Sequence, residues 1–108
     1  MAKIDIITLT GLTASDGSII VSGATVKFNS EFFAQSNNII IRPKIYRSRE
    51  VFDLGFNQVY TNEIPDNFML GLDDADFYTL TPAKLYEKVR DYLNNLMGAQ
   101  VFEIKIII

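Results

Sequence analysis

The 108-residue sequence contains neither cysteine nor histidine. Without cysteine the chain can form no disulfide, no thiolate nucleophile and no cysteine-ligated metal site. Without histidine it lacks the commonest general base and the commonest metal ligand, so Ser-His and Cys-His nucleophile pairs are excluded. A small secreted domain usually depends on disulfides, so their absence favours a reducing compartment. An enzyme mechanism that uses carboxylates alone remains possible, but we expect a protein that is not an enzyme.

Long apolar runs and excess positive charge are also missing. No stretch approaches the roughly 18 apolar residues that span a bilayer, and Asp5 interrupts the N-terminal run too early for a signal peptide. The net charge of −3 argues against nucleic-acid binding, which needs a basic surface. Hydrophobic residues make up 48% of the chain, enough for the core of one domain. We expect a single domain over residues 1–108 with no membrane partner.

Strand signals dominate the first half of the sequence. Residues 3–10 are mainly β-branched and apolar, as strands prefer. An Asp-Gly pair at 16–17 separates this run from the apolar residues 19–21 and predicts a hairpin with 19–21 as the returning strand. Val26 and Phe28 alternate around a lysine and predict another short, half-buried strand.

The longest predicted strand covers residues 38–48. It follows a connecting segment with Phe32 and Phe33 and a polar turn at 35–38. Pro43 has no N–H, so we expect this strand to lie at a sheet edge or to carry a bulge there. Alternation places two sets of side chains on opposite faces: Ile39, Ile41 and Ile45 on one, and Arg42, Lys44 and Tyr46 on the other.

The clearest element is a helix after Leu80. Thr81 is a good N-cap, and Pro82 stands at the first helical position, where its missing N–H costs nothing. Gly98 predicts the C-terminal end. The predicted apolar stripe has the 3–4 spacing of a helix face and consists of Leu85, Val89, Tyr92, Leu93 and Leu96.

The remaining segments complete the fold prediction. Residues 51–60 suggest a weak strand, and residues 62–76 a long loop with a short strand at 68–70. The C-terminal segment predicts a strand that pairs inside the sheet, with one apolar face formed by Phe102, Ile104, Ile106 and Ile108. We therefore predict an α+β domain, with a mostly antiparallel sheet (a sandwich or partial barrel) and one C-terminal helix packed on it.

Charge is segregated along the chain. Four of the ten basic residues lie within eight positions: Arg42, Lys44, Arg47 and Arg49. Residues 50–76 then carry seven acidic residues and no basic one, among them Asp73, Asp74 and Asp76. The basic strand suits a solvated edge, a protein-docking patch or, with Tyr46 as a stacking platform, a nucleic-acid surface. The two segments could pair between copies, head to tail, or within one chain. We predict protein contacts at the four named basic residues and the three named acidic residues: Arg42, Lys44, Arg47, Arg49, Asp73, Asp74 and Asp76.

Two other patterns were weighed as ligand sites. The acidic run from Asp73 to Asp76 has the oxygen ligands that Ca²⁺ and Mg²⁺ prefer, but it lacks the glycine and glutamate of a calcium-binding loop. Acidic residues placed before a helix are favoured by the helix dipole, which is the simpler interpretation. The glycines form no nucleotide-binding motif. We therefore expect no metal and no cofactor.

The middle and C-terminal parts of the chain also carry a resemblance. The strand IIIRPKIYRSRE and the later segment YTLTPAKLYEKVRDYLNNLMG are similar to small proteins of tailed phages of Bacteroidetes hosts, including crAss-like phages. The resemblance implies a virion component, made in the bacterial cytoplasm, such as an auxiliary capsid protein or a ring or connector subunit. Its partners would be other virion proteins and copies of itself.

A binding module for a peptide or a carbohydrate is the alternative function. It would use an exposed sheet face, with aromatic side chains as the contact surface. The candidates are Tyr46, Phe52, Phe56 and Tyr60.

Overall fold

A computed structural model describes residues 3–107 of the chain. It contains seven strands: β1 (Lys3–Thr8), β2 (Leu12–Thr13), β3 (Ile19–Ile20), β4 (Thr25–Phe33), β5 (Asn38–Tyr46), β6 (Phe68–Gly71) and β7 (Phe102–Ile107). It also contains three helices: α1 (Arg49–Asp53), α2 (Asp74–Tyr78) and α3 (Pro82–Met97).

Five strands form one antiparallel sheet in the order β6-β5-β4-β1-β7, and β2 and β3 form a separate two-stranded sheet. The helix α3 packs on β7 and β1. The predicted α+β class is therefore confirmed, with a mostly antiparallel sheet and a C-terminal helix on it. The sheet face toward α3 carries the buried apolar residues of alternate strand positions, including Ile6, Val26 and Phe102.

The predicted ends of α3 are also confirmed. The Thr81 side chain accepts a hydrogen bond from the backbone N–H of Lys84, and Gly98 ends the helix with φ of 68°. Leu85, Val89 and Leu93 are buried in the core, and Tyr92 packs against it. Leu96 is 50% exposed, so its assignment to the apolar stripe was wrong. The buried residue in the last turn of α3 is Asn94.

The predicted partner of the first hairpin was wrong. The turn at Gly17 does form, with φ of 89°, but β3 pairs with β2 and not with β1. The reason is that β1 already pairs with β4 on one side and with β7 on the other. Val21, predicted to belong to the returning strand, lies outside β3 and is exposed.

Phe32 and Phe33 lie in a strand and not in the predicted connecting segment. They belong to β4, whose nine residues pair with β5 along its whole length, so Phe33 stands opposite Asn38. The polar turn follows at once, with Asn37 in a left-handed conformation. Backbone pairing with β5 across this hairpin thus extends β4 beyond its alternating segment.

Two short helices replace segments that were predicted as a weak strand and a loop. The Ser48 side chain caps α1 by accepting from the backbone N–H of Val51, and the Asp73 side chain caps α2 in the same way at Asp76. The short strand expected at 68–70 is confirmed as β6.

Pro43 lies where β5 has no continuous outer neighbour. The strand β6 pairs with β5 only as far as Ile41, and beyond it a single bridge joins Ile45 to Val59. Proline fits in this gap because it has no N–H to leave unpaired. The strand as a whole lies between β6 and β4, so the edge position predicted from the proline is correct only locally, where the outer side of Pro43 has no partner among the described residues.

The last strand pairs with β1 over six residues, from Phe102 opposite Thr8 to Ile107 opposite Lys3. It is therefore part of the sheet, as predicted, and forms one edge. Ile106 is 62% exposed there. Ile108, which was predicted to share its face, lies outside the described residues.

Candidate binding surface

A buried carboxylate organises the sheet face that points away from α3. Asp5 lies in the middle of β1 and is fully buried. Its Oδ1 atom lies 2.5 Å from Lys27 Nζ and 2.5 Å from Arg49 Nη1. The hydrogen bond to Asp5 raises the pKa of Arg49 above its ordinary value. Burial of a carboxylate is tolerated when it is paired in this way.

The Asp5 contact fixes the position of α1, because Arg49 is the first residue of that helix. Arg49 also pairs with Asp53 one turn later, at 3.0 Å. These contacts place Phe52 against the sheet, where its ring meets Tyr46 edge-on with the centroids 4.9 Å apart. The cations of Lys27 and Arg49 lie 5.1 Å and 5.7 Å from the Phe52 ring centroid.

An open cleft lies beside α1, with a volume of about 490 Å³. We call it the aromatic cleft. Four of its lining residues are aromatic: Tyr46, Phe52, Phe56 and Tyr60. The others are Lys44, Gly55, Asn57 and Gln58, so no carboxylate lines it. The structure thus brings together the four aromatic residues that the sequence suggested for a binding module. Phe56 is 62% exposed and Tyr60 is 66% exposed.

Lys44 gives the aromatic cleft its charge. It stands directly opposite Lys27 on β4. Lys27 is paired with Asp5, whereas Lys44 forms no ion pair with any residue that the structure describes. Lys27 and Arg49 are thus paired with Asp5 and Asp53, and Lys44 is the charged lining residue of the cleft that has no ion pair among the described residues.

The other basic residues predicted as contacts have partners in the same chain. Arg42 lies 3.6 Å from Glu31, and both side chains are about half exposed. Arg47 donates hydrogen bonds to the backbone oxygen of Ile19 and to Ser18 Oγ, each at 3.1 Å, and so holds the β2–β3 hairpin. Arg49 forms ion pairs with Asp5 and Asp53. Of the four, Lys44 has the greatest freedom to meet a partner.

The acidic residues predicted as contacts are also engaged within the chain. The Asp73 side chain caps α2, and Asp74 accepts a hydrogen bond from the Asn37 amide. Asp76 pairs with Lys88 at 3.3 Å. Over residues 3–107, the basic and acidic segments share one ion pair, between Arg49 and Asp53. Pairing between the two segments within one chain therefore accounts for few of their charges.

Ligand chemistry of other kinds has little basis in the described part of the chain. Between residues 3 and 107, no three acidic side chains come close enough together to hold a metal ion. The helices found there include none with the length and apolar character to cross a membrane.

The pairing of Asp5 with Arg49 was not predicted from the sequence, whereas the four aromatic residues of the cleft were named as candidates. A single acidic residue within an apolar strand indicates a buried charge. The local sequence pattern does not identify its partner, because that cation lies 44 positions further along the chain. The aromatic residues were visible because they lie close together in the sequence. Comparison with protein-family models, with curated proteins and with solved structures finds no match to this chain.

Proposed function

We propose that this protein works by binding other proteins, as a repeated subunit of a larger assembly such as a phage particle. The observation that supports this proposal is the aromatic cleft, where four aromatic side chains surround one opening beside an unpaired lysine. Aromatic residues are enriched at the centres of protein interfaces, where they bury large areas at small entropic cost. Phe56 and Tyr60 expose most of their surface in the isolated chain, and a partner would cover it.

The open sheet edge supports the repeated character of the subunit. No strand among the described residues pairs with the outer side of β7, and Ile106 is exposed there. Monomeric proteins usually protect such edges, because unpaired backbone groups pair readily with another chain. The phage context itself rests on the resemblance of the sequence. The contacts made within the chain by Arg47, Arg49, Asp73, Asp74 and Asp76 shift the proposed contact toward Lys44 and the aromatic cleft.

A small binding module for a peptide or a carbohydrate is the second candidate function. The lining amides of Asn57 and Gln58 favour it, because amides both donate and accept hydrogen bonds with a polar ligand. The volume of the cleft also lies in the range of small-molecule sites. Under this hypothesis the protein is a monomer whose ligand is soluble.

Size-exclusion chromatography with light scattering separates the two functions. If the protein is an assembly subunit, its mass should rise with concentration, and Tyr60→Ala should weaken this association. Tyr78→Ala removes a tyrosine that is 75% exposed on α2, away from the cleft, and should leave the association unchanged. A strict monomer at all concentrations that binds a soluble peptide or sugar would contradict the assembly function and support the module.

A further inference from the structure

We infer that the aromatic cleft takes an acidic peptide segment of a partner protein, in which a carboxylate stands beside an apolar or aromatic side chain. The inference rests on the proposed function and names the chemistry of its partner. Three features of the cleft lead to it: its charge, the arrangement of its rings and the free backbone at its rim.

The charge of the cleft selects a carboxylate. Lys44 is the only charged residue that lines it. Behind the Phe52 ring lie Lys27 and Arg49, whose two charges are balanced by those of Asp5 and Asp53, so the charge of Lys44 remains without a partner. The whole chain carries a net charge of −3, so the charge of the cleft is opposite in sign to that of the protein as a whole. A carboxylate placed beside Lys44 would complete the balance and gain a charge-assisted hydrogen bond.

The arrangement of the rings selects an apolar or aromatic neighbour. Tyr46 and Phe52 meet at an interplanar angle of 68°, which is an edge-to-face contact. A further ring or aliphatic side chain can continue this arrangement between them and the exposed rings of Phe56 and Tyr60. Burial of such a side chain would supply most of the binding energy, and the carboxylate would supply orientation and selectivity.

The backbone at the rim selects a peptide among carboxylate ligands. Residues 56–58 belong to no helix or strand, and Val59 is tied to the sheet by one hydrogen bond, from its N–H to the oxygen of Ile45 at 2.7 Å. Within the described chain, the N–H groups of Asn57 and Gln58 donate to no protein acceptor. An extended peptide can accept hydrogen bonds from them. One lysine on a chain with a net charge of −3 does not form the extended basic surface that a nucleic acid needs.

Fluorescence anisotropy with the full chain and two labelled hexapeptides tests the inference. One peptide has an aspartate–phenylalanine–aspartate centre, and the other has an asparagine–phenylalanine–asparagine centre of the same shape. The acidic peptide should bind about fivefold more tightly, the ratio expected for one partly exposed ion pair. This preference should fade between about 50 mM and about 500 mM salt, because salt screens exposed charges.

Two lysine variants locate the preference. Lys44→Gln should abolish the preference for the acidic peptide while the amide peptide binds as before. Lys84→Gln removes an exposed lysine on α3 and should change neither affinity. Thermal unfolding of both variants confirms that they fold. Equal binding of the two peptides, binding of neither, or a preference that survives in Lys44→Gln would overturn the inference. So would binding of an acidic oligosaccharide, such as a tetragalacturonate, in place of both peptides.

The peptide experiment and light scattering can fail independently. Self-association that depends on Tyr60, together with equal binding of the two peptides, would refute the acidic segment and leave the assembly function standing. A strictly monomeric protein that prefers the acidic peptide would refute the assembly function and leave the acidic segment standing, as the ligand of a binding module.

Discussion

The Asp5 carboxylate lies 2.5 Å from the Arg49 guanidinium, although 44 residues separate them in the sequence. Asp5 is central in β1, and Arg49 begins α1, so this contact ties the helix to the sheet across β4. The other oxygen of Asp5, Oδ2, has no hydrogen-bond partner in the described part of the chain. Lys27 and Arg49 therefore both contact the same oxygen atom, Asp5 Oδ1. This atom holds α1 in place, and α1 contributes Phe52 to the lining of the aromatic cleft.

Asp5→Asn should lower the free energy of unfolding by about 3 kcal/mol, because it leaves Lys27 without a carboxylate partner in a largely buried place and leaves Arg49 with only the half-exposed Asp53. Urea unfolding measures this change. Asp53→Asn removes the other, half-exposed partner of Arg49 and should cost less than about 1 kcal/mol. Equal stability of Asp5→Asn and the native chain would show that the pairing does not hold α1 in place.

The elements that local signals define were predictable, and those that depend on distant pairing were not. Thr81 and Gly98 each specify one end of α3 through contacts with residues no more than four positions away, so their roles could be predicted. The cap at Asp73 is equally local, but a helix of five residues gives too short a periodic pattern to recognise. The pairing of β3 with β1 was predicted wrongly, because β4 and β7 occupy the two sides of β1.

The candidate site was predictable in part, for the same reason. Tyr46, Phe52, Phe56 and Tyr60 were predicted as candidates on an exposed sheet face, but Phe52 lies in α1 and Phe56 in the loop after it. The partners of Arg47 and Arg49 lie in other elements of the fold. Sequence alone therefore could not distinguish a lysine that remains unpaired from arginines that hold the structure together.

Leu93→Ala should lower the free energy of unfolding by about 2–5 kcal/mol, because Leu93 is completely buried and its truncation leaves a cavity. Leu96→Ala is the matched control on the same helix. Leu96 lies half exposed in the last turn, so its truncation should cost less than about 1 kcal/mol. Similar losses in the two variants, measured by urea unfolding, would mean that α3 presents a different face to the sheet.

Asn94→Ala should lower the free energy of unfolding by about 2 kcal/mol. The Asn94 Oδ1 accepts hydrogen bonds from the backbone N–H groups of Val101 and Phe102, and its Nδ2 donates to the oxygen of Phe102 at 3.0 Å. The amide thus takes the place of a neighbouring strand at the start of β7, and its removal leaves buried backbone groups unpaired.

Asn95→Ala is the control for Asn94, because the adjacent asparagine is exposed and should tolerate truncation with little change. Hydrogen exchange provides a second measurement. In Asn94→Ala the Phe102 amide should exchange faster than in the native chain, since it loses its acceptor. Unchanged protection of that amide would show that the β7 edge is held without Asn94.

Removal of residues 104–108 should prevent cooperative folding. The described part of this segment pairs with β1, where Ile104 stands opposite Ile6 and Lys105 stands opposite Asp5. Its loss would expose one side of β1, which lies inside the sheet. Circular dichroism and thermal melting measure the outcome. A soluble truncation that melts cooperatively would instead identify the segment as an arm that inserts into a neighbouring subunit.

Tyr86 should make the stability of the protein depend on alkaline pH. Burial raises the pKa of the Tyr86 phenol above its ordinary value near 10, with a smaller contribution from the Asp5 charge and an opposing one from Arg49. The unfolded chain therefore loses this proton at a lower pH than the folded chain does. The stability that Tyr86 contributes is complete below about pH 10 and is lost as the pH rises through the raised pKa.

Tyr86→Phe isolates this pH effect, because phenylalanine keeps the ring that packs 4.8 Å from Phe28 and has no proton to lose. The native chain should lose stability relative to Tyr86→Phe as the pH rises above about 10, as measured by urea unfolding at each pH. Tyr78→Phe, altered at an exposed tyrosine of α2, controls for the loss of a phenol outside the core. A difference between the native chain and Tyr86→Phe that stays constant from neutral to alkaline pH would contradict the prediction. It would mean that the phenol of Tyr86 meets water as freely in the folded chain as in the unfolded one.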